Sequence, residues 1–321
     1  MKNVHILVIG AGLAGLTLAR ELSGRPEKVV ILEKSKSPGG RLSCRRSDNG
    51  NFDHGAQYLT SRTAGFTAVL NQLAQSDELA PWNPSGKDSA RPWWVGQPDM
   101  SAIGKAMAQG LDIRLETRVT RIARKNDKFL VHTQNLVGAE SVYTASMVIA
   151  AIPAPQALDL LTPLDPAFVK LQHVTMAPCW SAMLAFDTHL EGVPDLLRGQ
   201  DAELLSLIAR NGSKPGRTGE TFVLHATPQW SRTHIERDRE AVKSAMLSAL
   251  REQTGLGGNL PDPVCFEVHR WLYALVETPL DQPFLGNQQN TLFACGDWCI
   301  GARAEAAHQS GQALAHHIMS L

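Results

Sequence analysis

The sequence predicts an α/β fold in which a parallel-sheet domain is interleaved with a second domain of mixed α+β character. Three observations predict it. The chain opens with a buried strand, a glycine-rich turn and a helix, then a second strand. Apolar runs at Met147–Ile152 and Thr291–Ala294 read as later returns to the same sheet. Between about Leu158 and Leu285 the pattern changes to mixed helices and strands, such as Thr221–Ala226 and Arg239–Arg251. The resulting division is 1–60, 99–157 and 286–321 for the first domain, and 61–98 and 158–285 for the second.

The opening justifies itself element by element. Val4–Ile9 is a short apolar run bounded by glycine, as a buried parallel strand requires. Gly10-Ala11-Gly12-Leu13-Ala14-Gly15 follows, and Leu16, Leu18, Ala19 and Leu22 then repeat with helical spacing until Gly24-Arg25-Pro26. In a Rossmann-like unit Gly10 permits the tight turn, Gly12 admits a pyrophosphate against the backbone, and Gly15 lets helix and strand approach. The helix start offers free N–H groups and a positive dipole end to phosphate. Lys28–Leu32 is the second strand, and Glu33 at its end suits a ribose diol. Pro38-Gly39-Gly40-Arg41 comes directly afterwards, where a plain NAD domain continues into another helix. Two glycines that expose N–H groups, with a guanidinium able to bridge phosphate oxygens, point to a long dinucleotide of the FAD type.

Further along, Phe66, Val69, Leu70 and Leu73 mark a helix, and Asp77–Pro98 is a loop-rich excursion with Trp82, Trp93 and Trp94. Those tryptophans suit either a pocket wall or core and lid packing. Ile113–Leu115, Val119–Ala123 and Phe129–His132 read as strands, with Asn126-Asp127 as a hairpin turn. At the far end Thr291–Ala294 is a strand, Cys295-Gly296-Asp297 a turn, and Ala304–Met319 a long helix. Asp297 is placed to accept a sugar-like hydroxyl. The helix start is expected to set partial positive charge on a ligand's acceptor edge, an effect of about 0.3–2 kcal/mol.

Composition narrows the classes. Hydrophobic residues make up 43% of the chain and charged residues 19%, as in an ordinary globular protein, and the formal net charge is zero. No long-range field therefore favours nucleic acid or an anionic membrane. Five scattered cysteines do not form a disulfide framework; they read as buried or idle thiols in a reducing compartment. His308, His316 and His317 lack metal-ligand spacing, so no metal is assigned. The glycine-interrupted opening has little basic n-region and no run is long enough to span a bilayer, so a cytoplasmic location is expected.

On GAGLAG, Glu33, GGR, the Asp53–Tyr58 segment DHGAQY and the Gly296–Cys299 segment GDWC, the chain resembles the bacterial branch of the renalase family. Val95–Ser101, Ala150–Pro155, His225-Ala226-Thr227, Trp230-Ser231-Arg232 and His269–Tyr273 extend the likeness over nearly the whole length. That family lies within the flavin-containing amine oxidase superfamily. The resemblance implies a glutathione-reductase-type FAD domain in an amine-oxidase-like architecture. It also implies oxidation of 1,2- or 1,6-dihydro-NAD(P) to β-NAD(P)+ with O2 reduced to hydrogen peroxide. Carried over by motif, Gly10, Gly12, Gly15, Glu33, Gly40, Arg41, Ala56, Val119, Gly296 and Asp297 hold non-covalent FAD. Gln57 and Tyr58 lie by its ring system, and His225, Trp271 and Trp298 are the pocket candidates beside Tyr58.

The chain departs from the wider superfamily in places. Amine oxidases commonly carry a lysine near the reactive flavin nitrogen, whereas the aligned stretch here is His269-Arg270-Trp271-Leu272-Tyr273. Arg270 in a pocket would repel an ammonium substrate and suit phosphates; an ion pair with Glu267 or Asp281 away from the site is the other reading. Ala302 and Ala304 stand where the renalase pattern has glycine and valine, and His308 where it has tryptophan. The rival functions are a flavin amine or amino-acid oxidase or desaturase, and a non-catalytic binding module on the same fold. A dihydropyridine is a strong hydride donor with no proton to remove, so the lack of an evident acid–base constellation agrees with the renalase-type reading.

Overall fold

The computed structural model describes residues 2–87, 90–199 and 201–321, so residues 88–89 of the 77–98 excursion lie outside the described residues. An eight-stranded sheet forms the first layer. Its main path runs Leu285–Gly286, Leu292–Ala294, Glu140–Ala150, Lys2–Ile9, Val29–Leu32 and Ile113–Arg114. Lys2–Ile9 is parallel to both neighbours, and its last four residues, Ile6 to Ile9, are buried. A strand covered on both faces reads as a continuous apolar run, which is why the opening was legible. The hairpin Thr117–Lys125 with Lys128–Asn135 pairs onto Glu140–Ala150, and Asn126 takes φ +54° at its turn.

Two helices, Leu13–Glu21 and Ala304–Met319, pack on this sheet and on each other. Gly311 permits the contact: a Cβ there would stand 2.3 Å from the Ala14 carbonyl oxygen. The closing helix has the predicted bounds, but its relation to Asp297 differs from expectation. A short 3-10 turn, Asp297–Cys299, and three further residues intervene, and Arg303 is the N-cap. Helix Ser101–Ala108 was not anticipated, because its sequence SAIGKAMA combines a glycine with small residues and shows little period.

The second sheet has five strands in the order Leu196–Arg198, Leu205–Arg210, Glu220–Ala226, Thr175–Phe186 and Cys265–Thr278. Thr175–Phe186 is paired on both sides and buried from Ala177 onward. Helix Arg239–Gln253 covers one face with Val242, Met246 and Leu250, spaced one helical turn apart. Asp238 caps it by accepting from Glu240 N and Ala241 N.

The stretch 61–98 packs against both sheets. Helix Ala64–Gln75 and the buried Trp82 and Trp93 share a core with Ile6, Val8 and Leu16 as well as with Leu196 and Ala209 of the second sheet. Two short strands, Leu79–Pro81 and Trp94–Gly96, replace part of the expected loop. Among the described residues no helix is long and apolar enough to cross a membrane.

Candidate functional site

The cradle is built from backbone. Gly10 holds φ +102°, and a Cβ there would lie 2.5 Å from the Ala151 carbonyl oxygen. A Cβ on Gly15 would lie 2.2 Å from the Gly10 oxygen, so these two glycines serve the fold itself. Gly12 is different: a Cβ built there has no heavy atom within 4 Å beyond its chain neighbours. It is the N-cap of Leu13–Glu21 and has no side chain to cap the first-turn N–H groups, which leaves them for a ligand. Gly39 N donates to Ala11 O at 2.8 Å, which sets the second glycine pair against the first; Gly40 sits with φ +56° facing the Gly12 Cα.

Glu33 is buried, and its two carboxylate oxygens accept from Ala11 N and Ser35 N, each at 2.8 Å. Each oxygen keeps a lone pair for a further donor, so a ribose diol remains compatible. Thr117 N donates to Glu33 O, which fixes the start of the strand carrying Val119 beside that carboxylate. Arg41, expected on the phosphates, and Asp297, expected on a sugar-like hydroxyl, meet: the guanidinium donates to both Asp297 oxygens at 2.8 and 2.6 Å, and to Ala274 O. Ala56 N donates to Arg41 O at 2.9 Å, so the DHGAQY segment hangs from the same arginine, and Gly296 N is held by Ser310 Oγ. An open, uncapped helix start, a buried acid and two facing glycine turns fit a dinucleotide such as FAD.

The opposite wall is supplied by the second sheet. Ser181 on strand Thr175–Phe186 pairs with His225 on one side and His269 on the other, and Cys179 pairs with Trp271. With a period of two, these side chains share one face of the sheet. The Asp53–Gln57 loop lies over that face: Trp271 Nε1 donates to His54 O at 2.9 Å, and the His54 ring stacks on Trp271 and meets His269 edge-on. Burial pushes the His54 imidazole down to about 3, helped by His269 and Arg45. Burial likewise lowers His225 to about 4, with Lys214 adding to it, and His269 to about 4, with Arg45 adding to it. Three neutral imidazoles therefore line this wall at neutral pH.

Behind the loop lies a charge cluster that sequence reasoning missed. The buried Asp53 carboxylate accepts from Lys214 Nζ at 3.1 Å, Arg217 at 2.6 Å and Met100 N at 2.9 Å. Burial would raise the Asp53 carboxyl, but Lys214 and Arg217 outweigh it and hold it below its ordinary value. Lys214 also donates to Gln57 Oε1 at 2.9 Å and to Asn211 Oδ1 at 3.3 Å, so all three ammonium protons have partners. Burial lowers Lys214 to about 8 even though Asp53 opposes it. The only hint was local: two cations flank Pro215-Gly216 in an otherwise turn-like segment.

Several expectations need correction. A lysine does lie in this region, but Lys214 is buried behind the Asp53–Gln57 loop and bonded to it. Arg270 does not face the site, because it alternates with His269 and Trp271 on its strand. It donates to Ile235 O at 2.6 Å and to Glu236 at 3.0 Å, a partner neither Glu267 nor Asp281. Trp298 is no wall either; it is buried beneath the Asp297 turn among Leu7, Val148 and Ala154, and its indole donates to Ile152 O. Tyr58 stacks on Trp93 at 3.9 Å between ring centroids, and its hydroxyl is held by Arg198 on the edge strand of the second sheet.

Comparisons with known proteins agree with this geometry. Residues 86–319 match the model of the flavin containing amine oxidoreductases, and residues 8–73 match an NAD(P)-binding Rossmann-like domain. A phytoene dehydrogenase of Streptomyces griseus is 33% identical over 111 residues, which cover 34% of this chain and 22% of that protein. An L-amino-acid oxidase of Naja atra is 28% identical over 145 residues, 40% of this chain and 28% of that protein. The chain thus matches less than a third of the length of these curated relatives. Among solved structures, a protein provisionally assigned as a protoporphyrinogen oxidase from Exiguobacterium sp. 255-15 superposes with a TM-score of 0.77 at 14% identity, covering 99% of this chain and 98% of that one. Putrescine oxidase bound to putrescine superposes with a TM-score of 0.72 at 13% identity over 99% of both chains, a likeness of fold. With the family model spanning most of its length over an open dinucleotide cradle, the chain belongs to the flavin containing amine oxidoreductase family.

Proposed function

We propose that the protein is a renalase-type oxidase that takes a hydride from 1,2- or 1,6-dihydro-NAD(P) and releases β-NAD(P)+ and hydrogen peroxide. FAD, held non-covalently, supplies the hydride acceptor and the route of the electrons to O2. The residues proposed to hold it are Gly10, Gly12, Gly15, Glu33, Gly40, Arg41, Ala56, Gln57, Val119, Gly296 and Asp297. Non-covalent attachment is supported by Cys299, the thiol next to the Asp297 turn: it is buried, and burial pushes it up to about 12.

One observation carries the choice of substrate. The wall formed by His225, His269 and Trp271 presents neutral rings, and the nearby lysine has committed every N–H to Asp53, Gln57 and Asn211. Such a wall suits a flat, neutral ring that donates a hydride with no proton to lose. What it must do is stack the ring about 3–3.5 Å from the acceptor and exclude water. Trp271, fixed by His54 O, and Tyr58, fixed by Trp93 and Arg198, are the rigid aromatic members of that enclosure. We place Tyr58, His225 and Trp271 in contact with substrate, and Trp298 behind the cofactor turn.

A flavin amine or amino-acid oxidase is the second reading, favoured by the buried Lys214 and by the similarity to L-amino-acid oxidases. Anaerobic mixing separates the two. Either dihydro isomer should bleach the yellow protein within seconds, while benzylamine and amino acids leave it oxidised. The reverse pattern establishes the second reading, and a colourless folded protein that takes up no FAD establishes a binding module.

A further inference from the structure

The hydrogen-bonding capacity of the groups around Gln57 fixes more than their positions. The Gln57 amide is constrained at both ends. Its Oε1 faces Lys214 Nζ at 2.9 Å, and an ammonium only donates. Its Nε2 faces two carbonyl oxygens, Asp53 O and Gly55 O, the latter at 3.0 Å, and a carbonyl only accepts. The amide therefore has one possible orientation: its nitrogen, whose two N–H groups are shared among three neighbours, can only donate toward the third, His225 Nε2, at 3.4 Å. A proton on His225 Nε2 would set donor against donor. With its proton on Nδ1 the ring presents a lone pair to that amide instead.

We propose that Gln57, its amide oxygen held by Lys214 and its nitrogen by two backbone carbonyls, is a positioning residue that holds His225 in the tautomer with its proton on Nδ1. His225 is then a neutral ring with its Nε2 lone pair turned to the amide. The charged and titratable groups around this chain are Asp53, Arg217 and Cys44 facing Lys214, then His54 and His269, with Arg45 and Arg239 beyond them. The assignment depends on donor and acceptor types alone and stands apart from the choice of substrate.

The test uses flavin-loaded protein labelled with 15N-histidine, in which His225 is assigned by the loss of its signals in His225→Asn. At pH 7 the expected pattern is a protonated Nδ1 and an unprotonated Nε2. Gln57→Glu presents a carboxylate to Nε2, so His225 should gain a proton there and titrate about two pH units or more above its wild-type value. Gln57→Leu leaves the Asp53–Lys214–Arg217 cluster intact and should release the ring to a mixture of tautomers. An Nε2-protonated ring in the wild type, or an unchanged tautomer in both Gln57 variants, overturns the proposal. None of these readouts involves turnover, so failure of the dihydropyridine assay would leave them standing, and the converse also holds.

Discussion

The dinucleotide cradle and the pocket wall are built on opposite principles. The cradle uses main-chain groups within about one strand and one helix, and its side chains are chiefly glycines that stay out of the way. The wall uses side chains brought together from residues 53–58, 211–217, 225 and 269–271, and its geometry depends on ionic and amide partners buried behind it. A backbone site tolerates drift everywhere except at a few glycines. A side-chain site built on buried charge fails through any partner left alone.

The largest effect should therefore come from the wall's foundation. Asp53→Ala leaves Lys214 and Arg217 buried without their carboxylate, and removing one partner of a buried pair costs about 3–5 kcal/mol. Urea unfolding of the variant should show a loss of that size. A loss below about 1 kcal/mol would mean that the cluster is hydrated and contributes little.

This contrast also explains what the sequence disclosed. Gly10, Gly12, Gly15 and Glu33 were legible because their spacing along 24 residues is the site. The bounds of helix Ala304–Met319 were legible because alanine-rich sequence with few breakers leaves little else to form. Lys214 was not, since nothing local distinguishes a lysine that will be buried against Asp53, 161 residues away. Arg270 stays open in the sequence between the pocket and an ion pair elsewhere because its neighbours belong to the wall, and only the strand period, once the strand is known, turns it away. Trp298 was misjudged for the same reason: proximity in sequence to Asp297 says nothing about which side of the turn a side chain takes.

Next in size is an acid sensitivity confined to the wall. The histidines 54, 225 and 269 have folded values below the unfolded value of about 6.5, so the unfolded chain binds more protons in the window between. Stability should accordingly fall as pH drops from about 6.5 toward 4. Between pH 7 and pH 5 the loss should reach at least about 2 kcal/mol, the share of one such group. Unfolding curves at the two pH values measure it, and His225→Asn should shrink the difference. An unchanged difference would remove His225 from the cause.

Within the cradle, two glycines should separate fold from ligand. Gly15→Ala drives a methyl against the Gly10 oxygen and should cost about 1–3 kcal/mol with or without flavin. Gly12→Val meets no protein atom within contact distance of its Cβ, so its cost to the unliganded fold should stay below about 1 kcal/mol. Its branched side chain occupies the space proposed for the pyrophosphate, and flavin content after purification should fall at least about tenfold. Full flavin occupancy in folded Gly12→Val would show that the ligand does not pass there.

The smallest effect should belong to Arg270, and its smallness is informative. This arginine sits between two wall residues in sequence yet points to the other face, where it bonds Ile235 O and the exposed carboxylate of Glu236 and lies over Trp180. Solvent screens such a pair, so Arg270→Ala should lower stability by about 1 kcal/mol or less. With its guanidinium turned away from the site, the variant should keep KM for a dihydropyridine dinucleotide and for its phosphate-free riboside in the same ratio as the wild type. Were Arg270 a phosphate partner, the dinucleotide alone would lose affinity, by about tenfold or more for a lost charged hydrogen bond of roughly 1.5–3 kcal/mol. That selective loss would return Arg270 to the pocket and require the Cys265–Thr278 strand to shift by one residue, carrying Trp271 away from His54.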